Sequence, residues 1–98
     1  MIMFYILLLV IEVNNLQELV VNGGKLLATD DLNNQNLFKG AITIYIVSGD
    51  IPKNAPSGAT EYGEVICIDY GRRTQFYIDN VFSLKSRLWY SNVISSWR

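Results

Sequence analysis

Four runs of alternating apolar and polar residues constrain the fold of this 98-residue chain more than any other feature. Successive side chains of a strand point to opposite faces, so such alternation is typical of strands with one buried face. The runs are AITIYIVSG (41–49), YGEVICIDY (62–70), TQFYIDN (74–80) and VFSLKSRLWY (81–90), and VISSWR (93–98) is a candidate for one more short strand. Short turns join most of these runs, which predicts a small antiparallel meander of 4–5 strands.

Residues before position 29 have a different pattern. The stretch NNLQELVVNGG (14–24) predicts a short helix, because Asn15 and Glu18 have the spacing of a capping box and Asn22-Gly23-Gly24 can end a helix. The predicted fold class is therefore mainly β with one short N-terminal helix. The predicted division is an apolar N-terminal segment plus a short helix at 1–28 and an antiparallel β domain at 29–98.

The chain opens with MIMFYILLLVIEV (1–13), in which Glu12 is the first charged residue. This run is shorter than the roughly 20 residues that a transmembrane helix needs. It has no basic residue in front of it, as a signal peptide would have. Two interpretations stay open. Residues 1–13 pack against a partner surface as a strand or short helix, or they serve as a signal or membrane anchor.

Composition argues against several classes of function. The chain has 8 basic and 9 acidic residues, a net charge of -1, so there is no electrostatic reason to expect a nucleic-acid partner. It has no histidine, the commonest general base and transition-metal ligand. The single cysteine, Cys67, cannot form an internal disulfide, and it lies mid-strand, where a small buried side chain is expected. We therefore expect no enzyme activity, no cofactor and no metal site.

Each of two charged pairs can be interpreted as an ion-binding site or as solvated surface residues. Asp30-Asp31 could hold a cation, although acidic pairs in a turn rich in Asn and Asp usually act as solvated caps. Arg72-Arg73 could hold an anion, although two solvated arginines at a hairpin tip are the favoured interpretation.

The aromatic residues of the strands offer a candidate binding surface. Tyr77 shares a strand face with Gln75, and Trp89 shares one with Arg87. An exposed aromatic ring beside amide and guanidinium groups suits a sugar or a protein surface. The candidate ligand-binding residues are therefore Tyr77, Trp89, Gln75 and Arg87. The alternative is that these rings simply pack in the core.

From about Asp30 to Arg98, a set of short motifs follows in a characteristic order. In chain order they are Asp31-Leu32-Asn33, the strand Ala41–Val47, the loop Asn54-Ala55-Pro56-Ser57-Gly58, the strand Gly63–Tyr70, Thr74-Gln75-Phe76-Tyr77, the arginine-bearing strand Lys85–Tyr90, and the closing Trp97-Arg98. This ordered set resembles the knob domains of phage tail fibres and of tailocin (pyocin-type) fibres.

The resemblance implies that residues 29–98 form a knob-like β domain that attaches a virion or tailocin to bacterial surface glycan or another receptor. It also implies a homotrimer within a longer fibre, located in the virion tail fibre or, for a prophage-encoded remnant, in the bacterial cytoplasm. The alternative is a small exported or membrane-tethered protein that uses residues 1–13 as signal or anchor. Only that alternative predicts a membrane partner.

Overall fold

The computed structural model of the chain describes residues 20–81 and 83–98. They contain one six-stranded sheet whose strands lie side by side in chain order. The strands are β1 (Val20–Leu26), β2 (Ile42–Ser48), β3 (Tyr62–Asp69), β4 (Arg73–Asp79), β5 (Leu84–Tyr90) and β6 (Val93–Ile94). The pairs from β2 to β6 are all antiparallel, which confirms the strand-rich meander. The only helical element in the described part of the chain is a single 3₁₀ turn, Gln35–Leu37.

The prediction of a short helix at 14–24 is wrong where the structure describes it, because residues 20–24 lie in β1. Val20 and Val21 are β-branched and suit a strand, and β1 pairs in parallel with β2. The register shifts at Asn22 and Gly24, where Gly24 has a φ of 84° and its N–H donates to the Asn22 side chain at 3.0 Å. The Asn-Gly-Gly sequence therefore forms a bulge in a strand instead of ending a helix. Residues 1–19, with the apolar run and the rest of the predicted helix, lie outside the described residues.

The parallel pairing of β1 and β2 requires a long connection, which crosses the sheet between them. This segment, residues 27–41, lies with the β2–β3 connection, residues 49–61, over one face of the sheet. We call the two segments the loop layer and the face beneath them the inner face. Leu32 and Leu37 of the loop layer are buried against inner-face residues of β2, β3 and β4. The core therefore lies between a sheet and loops, and β1 belongs to the same sheet as residues 29–98.

The opposite face of the sheet is mostly apolar, and we call it the outer face. Its apolar side chains follow from the strand register, and they include Ile42, Ile44, Ile46, Ile66, Ile68, Phe76, Ile78, Leu84 and Leu88. Glu64, Thr74 and Ser86 lie on the same face among them. Ile66 at its centre is buried, whereas Ile46, Leu84 and Leu88 are 51%, 59% and 41% exposed. The apolar alternation found in the sequence therefore marks the face that the loop layer does not cover.

Candidate functional site

Long polar side chains of the inner face and the C-terminus hold the loop layer in place. Each donates a hydrogen bond to a loop carbonyl, and we call these five side chains the loop clamp: Tyr45, Gln75, Tyr77, Arg87 and Trp97. Loop carbonyls that have no backbone N–H partner need other donors when they are buried, and here side chains supply them. Among residues 20–81 and 83–98, every buried side-chain nitrogen and oxygen has a hydrogen-bond partner.

Gln75 and Arg87 form the centre of the loop clamp, and the strand register places them directly opposite each other. Gln75 Nε2 donates to the Leu32 carbonyl oxygen at 2.9 Å, and Gln75 Oε1 accepts from Arg87 Nε at 2.9 Å. Arg87 Nη2 donates to the same Leu32 oxygen at 2.7 Å. One loop carbonyl therefore receives two donors, and the two side chains also bind each other.

The Arg87 guanidinium is enclosed by aromatic rings. Its Cζ lies 4.4 Å from the ring centroid of Trp97 and 5.4 Å from that of Trp89, distances that allow cation–π attraction. Burial lowers the pKa of Arg87 to about 10, which still leaves the group charged at neutral pH. The rings and the Leu32 carbonyl therefore stabilise a charge that has left bulk water.

The two halves of the loop layer are tied to each other at Asp31 and Asn54. Asp31 Oδ1 accepts hydrogen bonds from Asn54 Nδ2 at 2.7 Å and from the Asn33 N–H at 2.8 Å, and these bonds lower the Asp31 pKa. Trp97 Nε1 donates to the Asn54 carbonyl at 2.9 Å. Asp31 thus acts as a structural acceptor. In the described ranges no group of three His, Cys, Asp or Glu side chains is arranged to hold a metal ion.

The expectation that Tyr77, Trp89, Gln75 and Arg87 form an exposed surface is wrong. Their exposed fractions are 1%, 7%, 0% and 6%, because the loop layer covers the face that they share. The two predicted pairs, Tyr77 with Gln75 and Trp89 with Arg87, do share strand faces, and the register that places Gln75 opposite Arg87 joins the pairs on one face. Gln75, Tyr77 and Arg87 donate hydrogen bonds to loop carbonyls and so act as structural donors, whereas the Trp89 ring packs against Phe38.

Cys67 lies on the inner face beside the loop clamp and is fully buried. Burial raises the pKa of its thiol to about 11, so the group is protonated at neutral pH. Reactive cysteines require the opposite shift and access to solvent. The structure thus agrees with the prediction of a small buried side chain.

An open cleft lies at the end of the sheet where the β3–β4 and β5–β6 turns meet, and we call it the hairpin cleft. Its volume is about 390 Å³, and it is lined by Asp69, Gly71, Arg72, Arg73, Trp89, Tyr90 and Ser91. The two turns come together because alternate turns of an antiparallel meander lie at the same end of the sheet. Tyr70 and Tyr90 at this end are 80% and 70% exposed, so aromatic surface is accessible here.

The two arginines of the hairpin cleft differ in their surroundings. Arg73 Nε donates to Asp69 Oδ2 at 3.2 Å, Arg73 Nη1 donates to Gln35 Oε1 at 3.3 Å, and the guanidinium lies over Phe38 at 5.3 Å. Arg72 is exposed, and no carboxylate in residues 20–81 or 83–98 forms an ion pair with it. The cleft therefore has one anchored guanidinium and one that is available to a ligand.

No protein-family model, curated protein or solved structure matches the chain. Within residues 20–81 and 83–98, no helix is long and apolar enough to cross a bilayer.

Proposed function

We propose that the chain is a knob-like module of a phage tail fibre or tailocin fibre that holds the particle against bacterial surface glycan. The observation that supports this most strongly is where the motif residues lie. Asp31, Asn54, Gln75, Arg87 and Trp97 come from separate motifs of the ordered set, yet they contact one another in and around the loop clamp. Motifs that are far apart in the chain therefore meet in one network, as expected if the ordered set specifies a single fold.

The proposal places receptor binding at the hairpin cleft. Gln75 and Arg87 at the centre of the motif set are buried, so on this proposal a receptor contacts exposed surface elsewhere. Exposed aromatic and charged groups are gathered at the hairpin cleft. A shallow site of this kind binds weakly alone, and a fibre with several copies converts weak binding into strong attachment.

A test of this function measures attachment to bacterial cells. The full chain is biotinylated, assembled on fluorescent streptavidin to supply several copies, and mixed with a panel of bacterial strains. We expect binding to some strains, and we expect periodate oxidation of the surface sugars to abolish it while mock-treated cells keep it. Binding to no strain, or binding that survives oxidation, would contradict attachment to glycan.

Assembly into a homotrimer is part of the proposal, and the exposed apolar outer face supports it. Leu84 and Leu88 are too exposed for a face that is complete in a monomer, and a second copy of the chain would cover them. Light scattering after size-exclusion chromatography should give the mass of three chains. Leu88→Lys on the outer face should lower that mass, whereas Ile51→Lys, at a loop position that is equally exposed, should not. A monomeric wild type would contradict the trimer.

A further inference from the structure

We infer that the hairpin cleft binds the acidic group of a sugar, a carboxylate or a phosphate ester, with Arg72 as the residue that contacts it. That the acidic group is carried by a sugar rests on the proposed function, whereas the preference for an anion rests on the cleft alone.

The first argument is charge. Arg72 and Arg73 line the cleft together with a single carboxylate, Asp69, which already pairs with Arg73 at 3.2 Å. Arg72 is left without an ion-pair partner among residues 20–81 and 83–98. A planar guanidinium matches a carboxylate or phosphate because it can donate two parallel hydrogen bonds.

The second argument is preorganisation. Arg73 is held from three sides by Asp69, Gln35 and the Phe38 ring, so the wall beside Arg72 is already ordered. Phe38 in turn packs edge-on against Trp89 with ring centroids 5.1 Å apart. Because these side chains are already ordered before binding, the protein loses less conformational entropy when a ligand binds.

The third argument is shape. A volume of about 390 Å³ lies at the small end of the range for ligand sites and suits one or two sugar rings. Tyr90 lines the cleft and is largely exposed, so it offers an apolar ring face for the carbon skeleton of a sugar. The hydroxyl of Ser91 and the Asp69 carboxylate lie on the same lining and can bind sugar hydroxyls.

The experiment measures the affinity of the full chain for three probes, glucose, glucuronate and glucose 6-phosphate, by isothermal titration calorimetry. At least one of the two acidic sugars should bind about tenfold more tightly than glucose, as one charge-assisted hydrogen bond would give. The better of the two distinguishes a carboxylate from a phosphate. Equal affinities for all three, or no binding of either acidic sugar, would overturn the inference.

Variants locate the binding. Arg72→Ala should reduce the affinity for the acidic sugar about tenfold and leave that for glucose unchanged, and Arg72→Lys should retain part of the difference. Lys25→Ala removes an exposed cation from β1, the edge strand farthest from β6, and should leave the affinities for all three probes unchanged. An Arg72→Ala chain that binds like the wild type would place the anion elsewhere.

The two proposals can fail separately. If the chain attaches to cells in a periodate-sensitive manner but Arg72→Ala has no effect on any acidic sugar, the attachment function stands and the cleft assignment falls. If the acidic sugar binds and Arg72→Ala abolishes its advantage, but no cells are bound, the cleft assignment stands and the attachment function falls.

Discussion

Gln75 joins the sheet to the loop layer through both ends of its amide, so Gln75→Leu tests the loop clamp directly. The substitution removes the hydrogen bond to the Leu32 carbonyl, a loss of about 1 kcal/mol. It also leaves the buried Arg87 Nε–H without its acceptor, a penalty of about 2 kcal/mol. We expect the free energy of unfolding to fall by about 3 kcal/mol, which lowers the Tm of a domain of this size by roughly 12–24 °C.

A double-mutant cycle with Arg87→Met separates the interaction from the two single losses. Arg87→Met leaves Gln75 Oε1 without its donor and removes one donor from Leu32, for a loss of about 3 kcal/mol. The double variant removes both partners of their mutual bond, so neither is left unsatisfied, and the Leu32 carbonyl alone loses its donors. Its total loss should therefore be smaller than the sum of the single losses, with a coupling energy of about 2 kcal/mol.

Urea unfolding of the full chain, followed by tryptophan fluorescence and circular dichroism, gives these free energies. The matched control is the cycle between Gln35→Leu and Arg73→Met, whose hydrogen bond of 3.3 Å is exposed. The control coupling should be about 0.5 kcal/mol or less, because water replaces an exposed partner. If Gln75 and Arg87 show a coupling no larger than the control, the loop clamp is not the structural centre that we describe.

The same urea assay checks three further expectations. Gly63→Ala should lower the free energy of unfolding by about 3 kcal/mol, because its Cβ would overlap a backbone carbonyl of β4. Gly71 lies in open space at a φ of 79°, so Gly71→Ala should lower it by only about 1 kcal/mol. Equal losses for the two variants would contradict this packing. Because burial raises the pKa of Cys67 from 9.0 to about 11, its stabilising effect is complete below pH 9 and is lost as the pH rises through 11. The wild type should therefore lose about 2 kcal/mol more than Cys67→Ala between pH 8 and 11, and parallel pH curves would refute the assigned burial. Trp97→Phe should lower stability by about 1 kcal/mol through loss of the hydrogen bond to Asn54, and an unchanged stability would show that this bond is not formed.

The strands could be read from the sequence because their signal is local. The alternating runs at 41–49, 62–70 and 74–80 fall within a residue or two of β2, β3 and β4. β1 could not be recognised in the same way. The Asn-Gly-Gly sequence in the middle of β1 carries a local helix-stop signal, and the pairing that makes the segment a strand is with β2, across a long connection. Non-local pairing overrode local propensity there.

The candidate site was misjudged because alternation identifies which residues share a face but not which face is covered. Gln75 was correctly assigned to the same strand face as Tyr77, and Arg87 to the same strand face as Trp89. Their polarity suggested exposure, but the loop layer needs donors for its carbonyls, and long polar side chains supply them. A long connection rich in Asn and Asp, such as residues 27–41, followed by strands that carry Gln and Arg on one face, is the signal that could have revealed this.

The hairpin cleft was only partly visible in the sequence. Arg72 and Arg73 were recognised as a conceivable anion site, and a meander predicts that their turn lies beside the turn at Ser91. What the sequence could not supply is the support from the β1–β2 connection, where Gln35 and Phe38 contact Arg73. Those contacts depend on the path of a loop that has no periodic pattern of its own.

The central claim is that the loop clamp is structural and the hairpin cleft binds the ligand. Backbone and side-chain chemical shifts test this most directly. The full chain, labelled with ¹⁵N, is titrated with the acidic sugar that it binds best. We predict shift changes in the backbone amides of residues 69–73 and 89–91, with the Gln75 side-chain amide and the Trp97 indole N–H unmoved. Changes centred on Gln75 and Trp97, with the hairpin residues unaffected, would show that the ligand enters beneath the loop layer and would contradict the account.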